Sequence, residues 1–572
     1  MSTEALEGVT DTHFVDEYPF EAKVTRVCLG IAFGALLVGG LMGLVQALHR
    51  TGALRIMPSQ YYYTVLTGHG VLLALIFTTF FICGLFTWGI TRSLDTPIPN
   101  RNITRAWVLL MALGTVLATV AILGGFAGEV PFQADVLFTF YAPLKAHPIF
   151  YFGLAAFLVG TWIAGLDWFR TYYVWRQDNP DERVPLQTFM VLTTMLMWYI
   201  STFGVAVEVL FFLLPWSLGI IETVDPLLTR TLFWYFGHPV VYFWLMPAYF
   251  VWYTILPKLS GGRLFSDPLA RVVFILFLIL STPVGFHHQY MDPGIASGFK
   301  FVAMTNTMFL LLPSLLTAFT VVASMEHGAR QRGGEGRFGW LRSLPWDNPA
   351  FAGVALAGLM FAAGGFSGMI NAGMNINYLI HNTLWVPGHF HLTVGTASAL
   401  TFMAITYWLW PQVTGKRLQF RGVATAQPFV WFLGMTLMSN AMHRAGLASL
   451  PRRTAEPEWG RVTGVAYQTP FGTVQEMQLQ IAIGAVFLFV SLGMFWLVFA
   501  GTWNADREKS TVVVDGVIPE PLSGPSDSPR ILDNFKLWTA LAIVLILIAY
   551  GLPVMDLLAD GALSPGMPPV SP

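Results

Sequence analysis

The chain has 572 residues, of which 55% are hydrophobic and only 11% are charged, and its mean hydropathy is +0.60. These values are typical of polytopic membrane proteins and exclude an ordinary soluble enzyme. The formal net charge of -1, without a basic patch, argues against a nucleic-acid partner.

Apolar runs of about 20 residues predict thirteen transmembrane helices. Their approximate bounds are 24–48, 62–91, 106–128, 147–169, 186–216, 231–257, 270–290, 301–325, 350–370, 384–410, 425–448, 475–502 and 534–556. Lys and Arg are concentrated in one set of alternate connections, which predicts a cytoplasmic N-terminus and a C-terminus outside. We therefore expect an all-α polytopic protein of the cell inner membrane, with one domain over residues 1–572.

Histidines are the candidate metal ligands, because the two cysteines, Cys28 and Cys83, lie in separate apolar runs. A single histidine in a membrane helix is more often a packing residue than a ligand. Six of the twelve histidines, however, fall at one predicted depth on four helices, near the outside. These six are His69, His238, His287, His288, His389 and His391. Their common depth predicts a layer of cofactors.

His389 and His391 lie in the stretch WVPGHFHLTV, at the predicted start of the tenth helix. Residues two apart on a helix point about 200° away from each other, so these imidazoles cannot share one metal. They suit two cofactors on opposite sides of the helix, and haems with axial imidazoles fit such a bundle. His69 could supply the other axial ligand of one haem and leave the second haem open.

His238, His287 and His288 together predict a three-imidazole site suited to copper, zinc or iron. Copper is favoured because no carboxylate accompanies them and an open haem is expected nearby. Tyr242 is four residues after His238, so both lie on one helix face. Tyr242 is thus a candidate redox phenol, although as one of 18 tyrosines it could also be a packing residue.

Together these residues resemble the catalytic subunit, subunit I, of the haem-copper oxygen reductases, and more closely the B family of ba-type cytochrome c oxidases. The resemblance covers essentially the whole chain. It implies that His69 and His391 bind a low-spin b-type haem and that His389 binds a high-spin a-type haem. It further implies that His238, His287 and His288 bind copper B, with Tyr242 cross-linked to His238.

The resemblance also implies one proton route, of the K type. Its residues here would be Tyr249, Tyr253, Ser314 and Thr317, which lie on the cytoplasmic side of the histidine layer. The same hydroxyls could instead serve only in helix packing. Val240 and Val241 fill the interval where the A family has a glutamate, so we expect no D-type channel.

Haem propionates would be held at the outer side of the histidine layer. Arg452 and Arg453 lie in a predicted outside loop, where guanidinium groups can pair with carboxylates. His381 and Asn382 belong to the same predicted layer. Asn377 departs from the family pattern, in which we expect an aspartate that takes part in proton exit.

These features predict a terminal oxidase that reduces dioxygen to water, takes electrons from outside and protons from inside, and pumps protons. Its partners would be membrane lipids, a subunit II carrying dinuclear copper A, and cytochrome c or a similar donor, with quinol as the other possible donor. A nitric oxide reductase is the nearest alternative, although such enzymes add a carboxylate at the second metal and lack the tyrosine. A haem-carrying transporter or sensor is a more distant alternative.

Overall fold

The computed structural model describes residues 14–52, 54, 56–127, 133–456, 468–507 and 519–559. Long helices form most of this structure, and each of the thirteen predicted apolar runs overlaps one of them. Labelled α1 to α13 in chain order, these helices are Pro19–Arg50, Ser59–Leu94, Arg101–Ala127, Pro148–Asp178, Leu186–Ser217, Pro226–Leu259, Asp267–Leu280 with Thr282–Gln289, Ser297–Gln331, Pro349–Ala372, Trp385–Thr414, Arg421–Leu447, Val474–Asn504 and Phe535–Ala559.

Eleven helices in the described part of the chain are long and apolar enough to cross a membrane, or twelve when the bent α7 is included. The remaining helix, α11, is long enough with 27 residues but is not apolar enough to be counted with the others. The expectation of a polytopic helical membrane protein is therefore confirmed. The count of thirteen crossings and the sidedness of the termini stay predictions.

Shorter elements connect these helices. A small hairpin pairs Gln468–Thr469 with Gly472–Thr473 in antiparallel fashion, just before α12. The short helical segments within the described residues are Phe14–Glu17, Gly339–Ser343, Met374–Ile380, Pro525–Asp527 and Arg530–Asp533.

Side chains at the helix starts satisfy backbone donors that would otherwise be unpaired. Asn100 accepts hydrogen bonds from the backbone of Asn102 and Ile103 at the start of α3. Thr473 and Glu476 form a reciprocal capping box at the start of α12. These caps explain why apolar sequences begin helices at defined residues.

The seventh helix differs from the continuous helix that the sequence predicts over 270–290. It bends by 54° between Asp267–Leu280 and Thr282–Gln289. The second part is a 3₁₀ helix in which Pro283 has non-helical angles, φ -75° and ψ 15°. Proline removes a backbone donor and clashes with the preceding turn, which accounts for the break. His287 and His288 lie on the 3₁₀ segment that follows the bend.

Three helices contain π-helical segments, in which the helix is locally widened. Val71–Phe77 follows His69 within α2, and Thr393–Ser398 follows His391 within α10. A third π segment, Glu208–Leu213, lies in α5. Such segments re-aim side chains and occur often at functional sites. Two of the three here adjoin histidines that the sequence singles out.

Glycines allow several helices to approach closely. A Cβ added to Gly114 of α3 would lie 2.5 Å from the carbonyl oxygen of Gly153 in α4. A Cβ on Gly434 of α11 would similarly lie 2.9 Å from the carbonyl oxygen of Gly484 in α12. Small residues at helix interfaces are typical of membrane bundles, where dispersion contacts replace the hydrophobic effect between helices.

The two ends of the bundle are polar in different ways. The predicted outer end, where α1 ends and α2 and α6 begin, carries the histidines and the 449–454 connection. At the opposite end, the fully buried Arg271 of α7 bonds to Asp267 and to Asp533 at 2.7 Å each. Asp533 lies two residues before the start of α13, so this ion-pair network fixes the last helix against α7.

Candidate functional site

A cluster of three histidines lies at the junction of α6 and α7. One ligand nitrogen from each of His238, His287 and His288 lies within 4.8 Å of the others. The ring centroid of His287 is 4.3 Å from that of His238 and 4.2 Å from that of His288. His238 and His287 are each only 6% exposed. Three converging imidazoles at this spacing can hold one metal ion.

Two neighbours fix the imidazoles of this cluster. The Thr307 hydroxyl of α8 donates to the Ala303 carbonyl at 2.6 Å, so it accepts the 2.7 Å hydrogen bond from His287 Nδ1. His287 therefore carries its proton on Nδ1 and leaves Nε2 for a metal. Trp234 stacks on His288 with ring centroids 3.7 Å apart and planes 8° from parallel.

Tyr242 lies beside the cluster, as its spacing from His238 predicts. The centroids of these two rings are 4.8 Å apart. On its other side the Tyr242 ring packs against Phe277 of α7 at 5.2 Å. The phenol is therefore held next to the three imidazoles by packing from two helices.

His69 of α2 and His391 of α10 face each other. Their ring centroids are 6.3 Å apart and their planes are 19° from parallel. Two imidazoles that bind one metal from opposite sides, each at about 2 Å, have ring centres roughly 6 Å apart. His69 Nδ1 is bonded to the Gly39 carbonyl at 2.8 Å and His391 Nδ1 to the Pro387 carbonyl at 2.7 Å. Both histidines therefore keep Nε2 available for a metal.

His389 faces a different helix from His391, as the helical geometry predicts. Its Nδ1 lies 3.0 Å from both the Gly364 carbonyl and the Ser367 hydroxyl of α9. A Cβ added to Gly368 would lie 2.7 Å from the His389 ring, so a glycine leaves room for the imidazole. His389 thus also has Nδ1 occupied and Nε2 available for a metal.

An apolar cavity of about 320 Å³ surrounds His69 and His391. Side chains of α1, α2, α10, α11 and α12 line it, and Gly40 and Gly43 form part of its wall. A Cβ on Gly43 would lie 2.7 Å from the His69 ring. These features fit a haem. The apolar cavity matches the ring, the two opposed imidazoles match the iron, and the cations at the rim match the propionates.

The rim of this cavity carries the arginines that the sequence predicts. Arg452 and Arg453 both line it. The backbone N–H of Arg452 donates to the Asn382 carbonyl at 3.0 Å, and its guanidinium bonds to Asn382 Oδ1 at 3.1 Å. Burial, followed by the adjacent Arg453, lowers the pKa of Arg452 below its usual range. Two neighbouring, partly buried cations fit a site for carboxylates.

Asn377 and His381 form a hydrogen-bonded pair near the rim. Asn377 Nδ2 donates to the Asn371 carbonyl at 2.6 Å, which leaves Oδ1 to accept from His381 Nδ1 at 3.2 Å. Burial, then Arg452, lowers the pKa of His381 to about 4. In this arrangement His381 is neutral near pH 7, with its proton on Nδ1.

The four hydroxyl residues of the predicted proton route meet in pairs between α6 and α8. The hydroxyls of Tyr249 and Ser314 are 3.1 Å apart, and those of Tyr253 and Thr317 are 2.7 Å apart. Thr317 donates to the Pro313 carbonyl at 2.7 Å, so Tyr253 donates to Thr317. Tyr249 and Tyr253 are fully buried, and this pairing places a line of hydroxyls below the histidine cluster.

The sequence interpretation missed several residues that support this site. Thr307 and Ser367 each bond to a histidine, but nothing distinguishes them from other hydroxyl residues in the sequence. His443 packs edge-on against Trp385 at 4.5 Å, near the start of α10. Arg50 lines the cavity from the end of α1. Of these residues, only Arg50 could have been singled out from the sequence, because it is a cation at the end of an apolar run.

Residues 23–502 match the model of the family described as cytochrome c and quinol oxidase polypeptide I. Cytochrome c oxidase subunit 1 of Thermus thermophilus is 41% identical over 553 residues, which are 95% of this chain and 96% of the relative. Cytochrome c oxidase polypeptide 1 of Halobacterium salinarum is 26% identical, over 83% of this chain and 78% of the relative. A solved heme-copper terminal oxidase dimer superimposes with a TM-score of 0.85 at 34% identity, over 93% of this chain and 92% of that chain. The chain therefore belongs to the cytochrome c and quinol oxidase polypeptide I family.

Proposed function

We propose that this chain is the catalytic subunit of a haem-copper cytochrome c oxidase, which reduces dioxygen to water at the histidine layer. The observation that carries the proposal is the presence of two separate histidine sites on adjoining helices. His238, His287 and His288 make one site, and the opposed pair of His69 and His391 makes the other. Membership of the family supports the same activity.

His238, His287 and His288 would hold copper B, since all three are neutral nitrogen donors of the kind copper binds. His69 and His391 would hold a low-spin haem, which we propose to be of b type. His389 would hold a high-spin haem, which we propose to be of a type. When bound, these groups supply the redox centres and the oxygen-binding centre. Gly39, Gly364, Pro387 and Thr307 fix the histidine tautomers through their oxygen atoms.

Tyr242 would supply a proton and an electron when the oxygen–oxygen bond breaks. Its ring contacts His238, which supports a cross-link between the two side chains. A phenol held this close allows complete reduction without release of partly reduced oxygen. Phe277 holds the ring in place, so the hydroxyl stays directed along the same side of α6 as His238.

Protons for water formation would enter by the hydroxyl pairs of α6 and α8. Tyr253 donates to Thr317, and Tyr249 pairs with Ser314 about one helical turn nearer the histidine cluster. Hydroxyls can both donate and accept, so such a line can move a proton by rearranging its hydrogen bonds. Val240 and Val241 offer no titratable group, which supports a single route.

Proton pumping would use the outer rim. Asn377 cannot change protonation near neutral pH, and His381 has its pKa lowered to about 4. Arg452 and Arg453 line the cavity and would hold a haem propionate there, and a carboxylate so held would be the better store for a pumped proton than Asn377 or His381.

Electrons would come from a subunit II that carries dinuclear copper A and receives them from cytochrome c. Quinol is the alternative donor. Lipids would surround the thirteen helices in the cell inner membrane, with the N-terminus in the cytoplasm. Because electrons and protons would reach the site from opposite sides, turnover would build up a membrane potential even without pumping.

A nitric oxide reductase is the second candidate function, since it belongs to the same superfamily. The three-histidine cluster has no carboxylate member among the described residues, and Tyr242 lies beside it, so both features favour oxygen. The test is oxygen uptake by the purified complex with reduced cytochrome c, compared with its consumption of nitric oxide. Rapid oxygen uptake supports the oxidase, whereas turnover of nitric oxide alone would exclude it.

A further inference from the structure

Arg50 ends α1 at the rim of the cavity, and its side chain is nearly buried, with 7% exposure. Its Nη1 donates to the carbonyl oxygen of Thr454 at 2.5 Å and to the hydroxyl at 3.2 Å. Its Nη2 donates to the carbonyl oxygen of Pro451 at 3.0 Å. One guanidinium therefore bridges the two ends of the segment 451–454, which carries Arg452 and Arg453 between them.

The bridged segment needs such support because of its backbone conformation. Arg453 has φ 62° and the nearby Ser449 has φ 60°, which residues other than glycine rarely adopt. On one side the segment is held by the bond from Arg452 N–H to the Asn382 carbonyl. Arg50 holds the other side, from a helix distant in sequence. The orientation of Arg452 and Arg453 toward the cavity thus depends on Arg50.

Arg50 also brings charge to the cavity. In the part of the chain that the structure describes, the oxygens that bond to its guanidinium belong to Pro451, Thr454 and Tyr62 and are neutral, and its buried Nε has no hydrogen-bond partner. Together with Arg452 and Arg453 it lines the cavity that contains His69 and His391. A buried guanidinium whose charge is not cancelled stabilises negative charge in the same cavity.

We propose that Arg50 is a positioning residue of the low-spin haem site, which both holds the 451–454 segment and raises the midpoint potential of that haem. The inference rests on the proposed function, since it requires a haem between His69 and His391. Its basis is that the ferrous haem carries one more negative charge than the ferric haem. An added positive charge nearby therefore favours the reduced form.

Three variants of the complete purified oxidase test this proposal by spectroelectrochemistry of the low-spin haem. Arg50→Gln removes both the charge and the bridge, and we expect a tenfold shift toward the ferric form, a fall of about 59 mV. Arg50→Lys keeps the charge but cannot bridge both carbonyls with a planar fork, so we expect a smaller fall. Arg444→Gln is the matched control, because Arg444 also bonds to a carbonyl at this end, that of Phe471, but does not line the cavity.

An unchanged potential in Arg50→Gln with the haem bound would overturn the inference, as would an equal fall in Arg444→Gln. If Arg50→Gln loses the haem, Arg50→Lys decides: a bound haem with a lowered potential supports the proposal, whereas the parent potential would show that the bridge to Pro451 and Thr454 is not needed, which overturns the positioning role. Absence of haem from the parent protein would instead contradict the proposed function itself. The two failures are therefore distinguishable.

Discussion

Replacement of Thr317 by valine should slow oxygen reduction without changing the haem spectra. Valine keeps the shape of the threonine side chain but removes the hydroxyl that accepts from Tyr253 at 2.7 Å. Tyr253 is fully buried, so its hydroxyl would lose its acceptor at a position where bulk water cannot take the place of the lost hydroxyl. The haem ligands lie elsewhere, and their spectra should stay the same.

The size of the effect follows from the cost of an unsatisfied buried hydroxyl, about 1–3 kcal/mol. If that cost falls on the step in which a proton passes Tyr253, each 1.36 kcal/mol slows the step about tenfold. We therefore expect turnover to fall by about tenfold, and by up to about a hundredfold. Haem content should remain at the parent level.

The assay is steady-state oxygen uptake over a range of pH, with Thr254→Val as the matched control. Thr254 is buried in α6 next to Tyr253, and among the described residues its hydroxyl donates only to the Phe250 carbonyl of its own helix, at 2.6 Å. Its replacement should leave turnover close to that of the parent. Parent-like turnover in Thr317→Val at every pH, or an equal loss in both variants, would refute the assignment of the proton route.

Tyr242→Phe should retain haems and copper but nearly abolish oxygen uptake, because the ring stays and the phenol oxygen is lost; activity near the parent level would leave Tyr242 a packing role only. Thr307→Val should weaken copper binding about tenfold to a hundredfold, since His287 loses the acceptor that fixes its tautomer, and Thr307→Ser should restore it. Copper titration of the depleted protein measures this, and equal affinity in the valine variant would contradict it. Asn377→Asp should change the proton yield only slightly, as measured by acidification outside proteoliposomes per electron. No acidification by the parent, with a clear signal in the aspartate variant, would show that a carboxylate is required there.

The helices were predictable because length and hydropathy are local properties of the sequence. Each predicted apolar run overlaps an observed helix, and His389 and His391 face different helices as their spacing requires. The bend in α7 was not predicted, although Pro283 marks its position in the sequence. An apolar run that continues through a proline hides such a break.

The supporting residues could not be predicted, because their roles depend on contacts between distant parts of the chain. Thr307 is 20 residues from His287, on another helix. Arg50 is 404 residues from Thr454, and only the folded bundle brings them together. Neither of these two contacts is marked in the sequence by a periodic pattern or a motif. The histidines, by contrast, were identifiable because imidazoles at one depth in apolar helices are unusual.

The most direct test of the account is the haem and copper content of the purified complex, measured for the parent and for His287→Ala. The account predicts two haems and copper B in the parent. In His287→Ala it predicts loss of this copper and of oxygen uptake with both haems retained, because the haems draw their ligands from His69, His389 and His391. Full copper occupancy at this site in His287→Ala, or loss of a haem with the copper retained, would contradict the assignment of the histidines.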